Sequence, residues 1–253
     1  MNAPNQSSEF LQTLRNERRA LLDLLRQTKF STLKKGYSHA QVVPHASYAP
    51  WLDDTEFRKT YDVVHAHTLV DIYRCHELFM LARQCARTGG AFIEIGVWRG
   101  GTAALIGKAA PDNDLHLFDT FEGVAKPDEQ YDTLYKGGEH ADTSEETVSG
   151  LLHRLGLKAR IHVGIFPDET LHALPESISF AHIDVDTYRS AKESCEAIWP
   201  RLQPGGVIVF DDYGFFGCEG VTQAVEELRA ELNGALFVHN LNGHALLLRS
   251  CPA

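Results

Sequence analysis

The sequence predicts an α/β protein built on a doubly wound, mostly parallel, seven-stranded sheet. Three observations carry this. From Ala91 onward, short apolar runs alternate with helical stretches, as βαβ units do. The first run feeds a glycine-rich turn that opens a helix. The last two runs are joined by Leu241, Asn242 and Gly243, a turn and not a helix, so the sheet should end in a hairpin with its last strand antiparallel.

The 253 residues suffice for a substantial core, and 43% hydrophobic with 23% charged residues exclude disordered and fibrous classes. At the start, Phe10, Leu11, Leu14, Leu21, Leu22, Leu24 and Leu25 recur at helical spacing, which predicts an amphipathic helix from about Glu9 to Gln27. Residues Phe30 to Asp54 lack a period and read as an irregular connection. A second long helix is expected from Glu56 to Arg87, stopped by Gly89 and Gly90. Residues 1–88 thus form an N-terminal helical extension, a lid or an oligomerisation element, and 89–253 the α/β domain.

In that domain, strands are expected at Ala91–Ile95, Leu115–Phe118, Arg160–Val163, Ser179–Ile183, Val207–Phe210, Ala235–His239 and Ala245–Leu248. Helices fall between them at Gly101–Ala110, Ser144–Leu155, Pro167–Leu174, Tyr188–Trp199 and Glu219–Leu232. The stretch Phe121–Asp142 is longer than an ordinary βα connection and is expected to act as a lid.

Charge narrows the partners. Lys and Arg total 24 against 34 Asp and Glu, a formal net charge of -10, the wrong sign for nucleic acid or an anionic membrane. Five scattered cysteines without a Cys-x-x-Cys suggest neither a disulfide framework nor a thiolate metal site, and fit a reducing cytoplasm. No targeting segment or membrane span is expected.

The chemistry begins at Phe92-Ile93-Glu94-Ile95-Gly96-Val97-Trp98-Arg99-Gly100-Gly101-Thr102, a strand running into glycines at the edge where open α/β sheets bind ligands. The Glu-x-Gly-x-x-x-Gly spacing differs from the dinucleotide fingerprint, and Glu94 would repel a pyrophosphate but suit a cationic or hydroxylated ligand. Asp119 ends the second strand, where an acid can accept bonds from ribose hydroxyls. Asp184 and Asp186 follow one strand, and Asp211 and Asp212 the next. Four carboxylates at one edge call for a cation or a raised pKa, and an all-oxygen set favours Mg²⁺ or another hard ion. Strand periodicity starts Asp184 and Asp186 on one face. His182 reads foremost as a packed core histidine, His65 and His67 as surface or packing residues, and Tyr213, Phe215 and Phe216 as candidates for an acceptor wall.

The stretch from Phe92 to Arg249 resembles class I S-adenosylmethionine-dependent methyltransferases, whose sheet is Rossmann-like, and more narrowly the macrocin O-methyltransferase family. The resemblance rests on Glu94 to Gly101, on Phe118-Asp119-Thr120-Phe121-Glu122-Gly123 with Lys126-Pro127-Asp128, on Asp184-Val185-Asp186-Thr187-Tyr188, and on Pro204-Gly205-Gly206 followed by Asp211-Asp212-Tyr213-Gly214. It implies Mg²⁺-dependent methylation of a sugar-like or catechol-like hydroxyl in antibiotic biosynthesis. It also implies that Glu94, Gly96, Gly100, Thr102, Asp119 and Asp184 line the cofactor site, with Gly164, Ile165 and Phe166 near the adenine. Asp184, Asp211 and Asp212 would hold the metal, and Asp186 would be the general base. Val185, Thr187 and Val124-Ala125 depart from the family pattern. A nicotinamide-dependent oxidoreductase and a non-catalytic binding protein on the same scaffold are the alternatives, and a homodimer or larger homo-oligomer is expected.

Overall fold

Gly89 and Gly90 divide a helical first third from the sheet that follows, and both adopt positive φ. The computed structural model describes residues 4–25, 42 and 48–251. It resolves two units, residues 1–49 and 50–253. In the first, α1 (Pro4–Leu25) begins earlier than the periodicity predicts, and Phe10, Leu14, Leu21 and Leu24 stay exposed along it. Most of the expected irregular stretch, Phe30 to Asp54, lies outside the described residues.

The second unit opens with a 3₁₀ turn at Pro50–Leu52, followed by α2 (Thr55–Val64) and α3 (Ile72–Cys85). The single helix expected from Glu56 to Arg87 is therefore two. A short 3₁₀ turn at His65–His67 ends the first, and the side chain of Asp71 caps the second by accepting from the backbone N–H groups of Tyr73 and Arg74. Apolar periodicity continues across the break, which is why it hid the cap.

Strands β1 (Ala91–Ile95), β2 (Leu115–Asp119), β3 (Arg160–Val163), β4 (Ile178–Ile183), β5 (Leu202–Phe210), β6 (Ala235–His239) and β7 (Ala245–Arg249) form one sheet in the order β3-β2-β1-β4-β5-β7-β6. Only β7 runs antiparallel, pairing Val207 with Leu248 and Phe210 with Ala245. Between strands lie α4 (Gly101–Ala109), α5 (Glu145–Arg154), α6 (Tyr188–Ile198) and α7 (Glu219–Glu231). The helix expected at Pro167–Leu174 reduces to turns ending in a 3₁₀ turn at Leu171–Ala173.

Side chains alternate across the sheet. Ile93, Ile95, Ile183, Ile208, Phe210 and Leu247 pack in one core with Ala191, Cys195, Val221 and Leu228 of α6 and α7. By the same alternation Phe92, Glu94, Phe180, His182 and Val209 face the other way, where α3 packs on β4 and β5. The carboxyl ends of β1, β4 and β5 thus meet the N-terminal half of α3.

Candidate active site

A cavity opens at these carboxyl ends. It is lined by Gly96, Thr102, Asp119, Gly164, Ile165 and Phe166 on one side and by Asp184, Asp186, Asp211 and Asp212 on the other. Most of the residues expected from the sequence therefore share one cavity. Glu94 and Gly100 stand apart from it. Glu94 points to the α3 face of the sheet, where it is fully buried and accepts from His182 Nδ1 at 2.7 Å, its register neighbour on β4. His182 is accordingly the core histidine expected, with its Nε2 buried and unpartnered. Gly100, at φ +81°, precedes α4 and faces Val148.

Gly96 is required for a reason other than ligand approach. At φ +82°, its missing Cβ would lie 1.8 Å from the carbonyl oxygen of Asp184, so this glycine lets the ends of β1 and β4 close on each other. Asp119 shapes the same loop. Its Oδ2 accepts from the N–H groups of Val97 and Trp98 at 2.6 and 2.8 Å, and its Oδ1 from Phe121 at 2.7 Å. These bonds occupy both lone-pair sites of Oδ2 and leave one on Oδ1 for a further donor.

The four acids converge by a route that strand periodicity does not describe. β4 stops at Ile183, and Asp186 then adopts φ +62°, as Asp212 does at φ +61° beyond β5. Both left-handed turns fold these carboxylates back toward the cavity. Carboxylate oxygens of Asp184, Asp211 and Asp212 approach within 4.8 Å of one another. Burial raises the pKa of Asp184 and Asp212, and the charge of Asp211 adds to it in both. Burial also raises Asp186, against a hydrogen bond from Tyr135 and the nearby charge of His140. Asp211 goes the other way: burial alone would raise it, but contacts with His244 and Arg74 hold it well below the usual carboxylate range.

Sequence reading missed these two partners. Arg74, on α3, donates from one guanidinium nitrogen to Asp211 Oδ1 at 2.7 Å and Asp212 Oδ1 at 3.2 Å, and from Nε to Asp71 at 3.0 Å. Its neighbours on the helix, Cys75, Leu78 and Phe79, are buried, so a cation on that apolar face was the available signal. His244 Nε2 lies 2.9 Å from Asp211 Oδ1, an ionic contact off the line of an ideal hydrogen bond. His67, expected as a surface or packing residue, lines the cavity with Thr68, Leu69 and Val70, which the break between α2 and α3 brings there.

The stretch Phe121–Asp142 contributes Gly123, Val124, Ala125, Tyr135 and His140 to the cavity wall. Its far end is pinned to the glycine turn by Trp98 Nε1, 2.8 Å from Asp142, and by an Arg99–Asp142 ion pair at 2.5 Å. None of the three aromatics offered as an acceptor wall lines the cavity: Tyr213 is buried against Phe237 and His239 and hydrogen-bonds Glu226, and Phe215 and Phe216 are exposed beyond it.

Comparison with known proteins gives the family. The sequence matches the macrocin O-methyltransferase (TylF) family over residues 18–246. It is 30% identical to a mycinamicin III 3''-O-methyltransferase of Micromonospora griseorubida, over 82% of this chain and 87% of that one. It is 28% identical to a tetracenomycin-series rhamnosyl 4'-O-methyltransferase of Streptomyces olivaceus, over 74% and 77%. Among solved structures, the O-methyltransferase NovP superposes with a TM-score of 0.63 at 24% identity over 73% of this chain and 83% of that one, and shares the fold. The chain belongs to the macrocin O-methyltransferase family and is an S-adenosylmethionine-dependent O-methyltransferase.

Proposed function

We propose that the chain methylates a hydroxyl of a sugar or other small vicinal diol in antibiotic biosynthesis, with a hard divalent cation, Mg²⁺ foremost, at the acid edge. The observation that carries this is the convergence of Asp184, Asp211 and Asp212 within 4.8 Å in the same cavity as the glycine turn and Asp119. The relative named for methylating a rhamnosyl-bearing compound supports the acceptor class.

The residues fit the cation. Arg74 pairs with only two of the four carboxylates, Asp211 and Asp212, His140 acts on Asp186, His244 is shared with Glu77, and the donors of the Asp184–Asp211–Asp212 set are all oxygens. Arg74 and His244 both fall on Oδ1 of Asp211, so its other oxygen is the one available to an ion. When bound, the ion would acidify a coordinated hydroxyl and orient a diol.

The chain's own contribution is alignment and proton removal. Gly96, Asp119, Gly164, Ile165 and Phe166 would hold the donor, and the cavity would place the acceptor oxygen in line with its methyl carbon. Fixing two reactants this way contributes on the order of 7–11 kcal/mol. Asp186 takes the hydroxyl proton as the oxygen–carbon bond forms and the carbon–sulfur bond breaks, with the bonding pair leaving on sulfur. Burial strengthens Asp186 as a base by raising its proton affinity, and the Tyr135 hydrogen bond holds its orientation. The protein works in the cytoplasm as a homo-oligomer, for which the exposed apolar residues of α1 are the supporting observation. No described helix is long and apolar enough to cross a membrane.

The test is methyl transfer from labelled S-adenosylmethionine to glycosides with free vicinal hydroxyls and, in parallel, to catechols, each with and without chelator. Product from the glycosides that disappears with chelator and returns with Mg²⁺ is expected. Activity indifferent to chelator removes the cation, and activity confined to catechols replaces the sugar.

A further inference from the structure

Asp211 is held from behind by residues the reaction itself does not use. His244, at the start of the segment entering β7, is completely buried, and its two ring nitrogens face two carboxylates: Nε2 lies 2.9 Å from Asp211 Oδ1, and Nδ1 2.7 Å from Glu77 Oε2. Glu77 is one turn along α3 from Arg74, on the same face at i, i+3. Its carboxylate is in turn fixed by the β6–β7 turn, accepting from the side-chain amides of Asn240 and, at 2.8 Å, Asn242. Asn242 also accepts from the backbone N–H of His244 at 2.9 Å.

The circuit closes through an aromatic ring. The guanidinium carbon of Arg74 sits 4.7 Å over Phe215, and a Cβ on Gly243 would lie 2.5 Å from the same ring. The hairpin turn therefore reaches the acid pair by two paths, through Phe215 to Arg74 and through Glu77 to His244. Both Arg74 and His244 end on the same oxygen of Asp211.

The geometry points to Glu77 and His244 as positioning residues that hold the Asp211 carboxylate in the orientation a divalent cation requires. This rests on the cation reading above. A ligating carboxylate that is itself held by fixed partners need not be ordered when the ion arrives, and loss of such partners commonly weakens metal affinity about 10- to 100-fold.

The experiment is calorimetric titration of MgCl₂, repeated with MnCl₂, into the full chain without donor or acceptor. Four proteins are compared: the wild type, His244→Ala, Glu77→Gln and Asn240→Ala, each checked for folding by circular dichroism. Glu77→Gln keeps the shape of the side chain and serves if His244→Ala does not fold. Asn240→Ala removes a hairpin bond but leaves the His244 contacts in place. The expected result is about 10- to 100-fold weaker binding for His244→Ala, a smaller loss for Glu77→Gln, and binding within about twofold of wild type for Asn240→Ala. Binding by Glu77→Gln and the folded His244→Ala within about twofold of wild type overturns the assignment, as does an equal loss in all variants, which would mean general loosening of the hairpin. If the wild type takes up neither ion, the cation reading itself fails, and this inference with it.

Discussion

The guanidinium of Arg74 lies 2.7 Å from Asp211, joining residues 137 positions apart in a buried ion pair. The pair ties the helical region before the sheet to the acid edge. It also makes a cation of the protein's own the first charge that Asp211 and Asp212 meet. The consequences can be measured.

Replacing Arg74 by Met strands Asp211 and Asp212 without their guanidinium. Breaking one side of a buried pair costs on the order of 3–5 kcal/mol, so a clear fall in Tm is expected. Millimolar Mg²⁺ should then raise the Tm of the variant more than that of the wild type, because the ion compensates the same carboxylates. Equal shifts in a thermal melt would show that arginine and ion do not share them.

Tyr135→Phe removes the hydrogen bond that reaches Asp186 from the Phe121–Asp142 stretch. A fall in kcat of about 10-fold or more is expected, with donor affinity unchanged, since Tyr135 would steady the base and not the cofactor. Steady-state kinetics alongside calorimetry with S-adenosylmethionine separates the two. Weaker donor binding at constant kcat would place Tyr135 at the cofactor instead.

Gly96→Ala and Gly138→Ala make a matched comparison, because both glycines have positive φ, +82° and +87°. At Gly138 an added Cβ meets nothing within 4 Å, so only the backbone penalty of about 1–2 kcal/mol applies. At Gly96 the Cβ would collide with the Asp184 carbonyl, and the loss should be several times larger, with the acid edge displaced as well. Urea unfolding of both variants checks the ratio.

Glu227 links α6 to α7 and supplies a pH dependence away from the site. Hydrogen bonds from Gln223, Lys192 and Tyr188 depress its pKa from 4.5 to about 2. Its contribution is thus present above pH 4.5 and is lost as pH falls toward 2. Because the pair is solvent-accessible, the effect should stay below about 1 kcal/mol. Glu227→Gln should show a slightly flatter loss of stability than wild type between those limits in urea titrations. A steeper loss would reverse the sign.

How far the sequence reached depends on the range of the forces involved. Strand and helix positions after Gly90 were legible because alternation and glycine punctuation are local, and the bounds of β1, β3 and β6 coincide with those expected. The pairing of Asp184 with the Asp211–Asp212 pair was legible too, since neighbouring strand ends in a parallel sheet bring their following residues to one edge. Tertiary structure alone decided what compensates those acids. Arg74, His244 and Tyr135 come from a helix, a hairpin and a long connection, and no local period signals that such segments will meet. It also decided that Glu94 turns from the cavity, because β1 presents that position to the α3 face, and that Gly96 serves the Asp184 carbonyl. Local sequence sets which elements form; burial of charge, which requires partners wherever the fold can supply them, sets which distant residues complete the site.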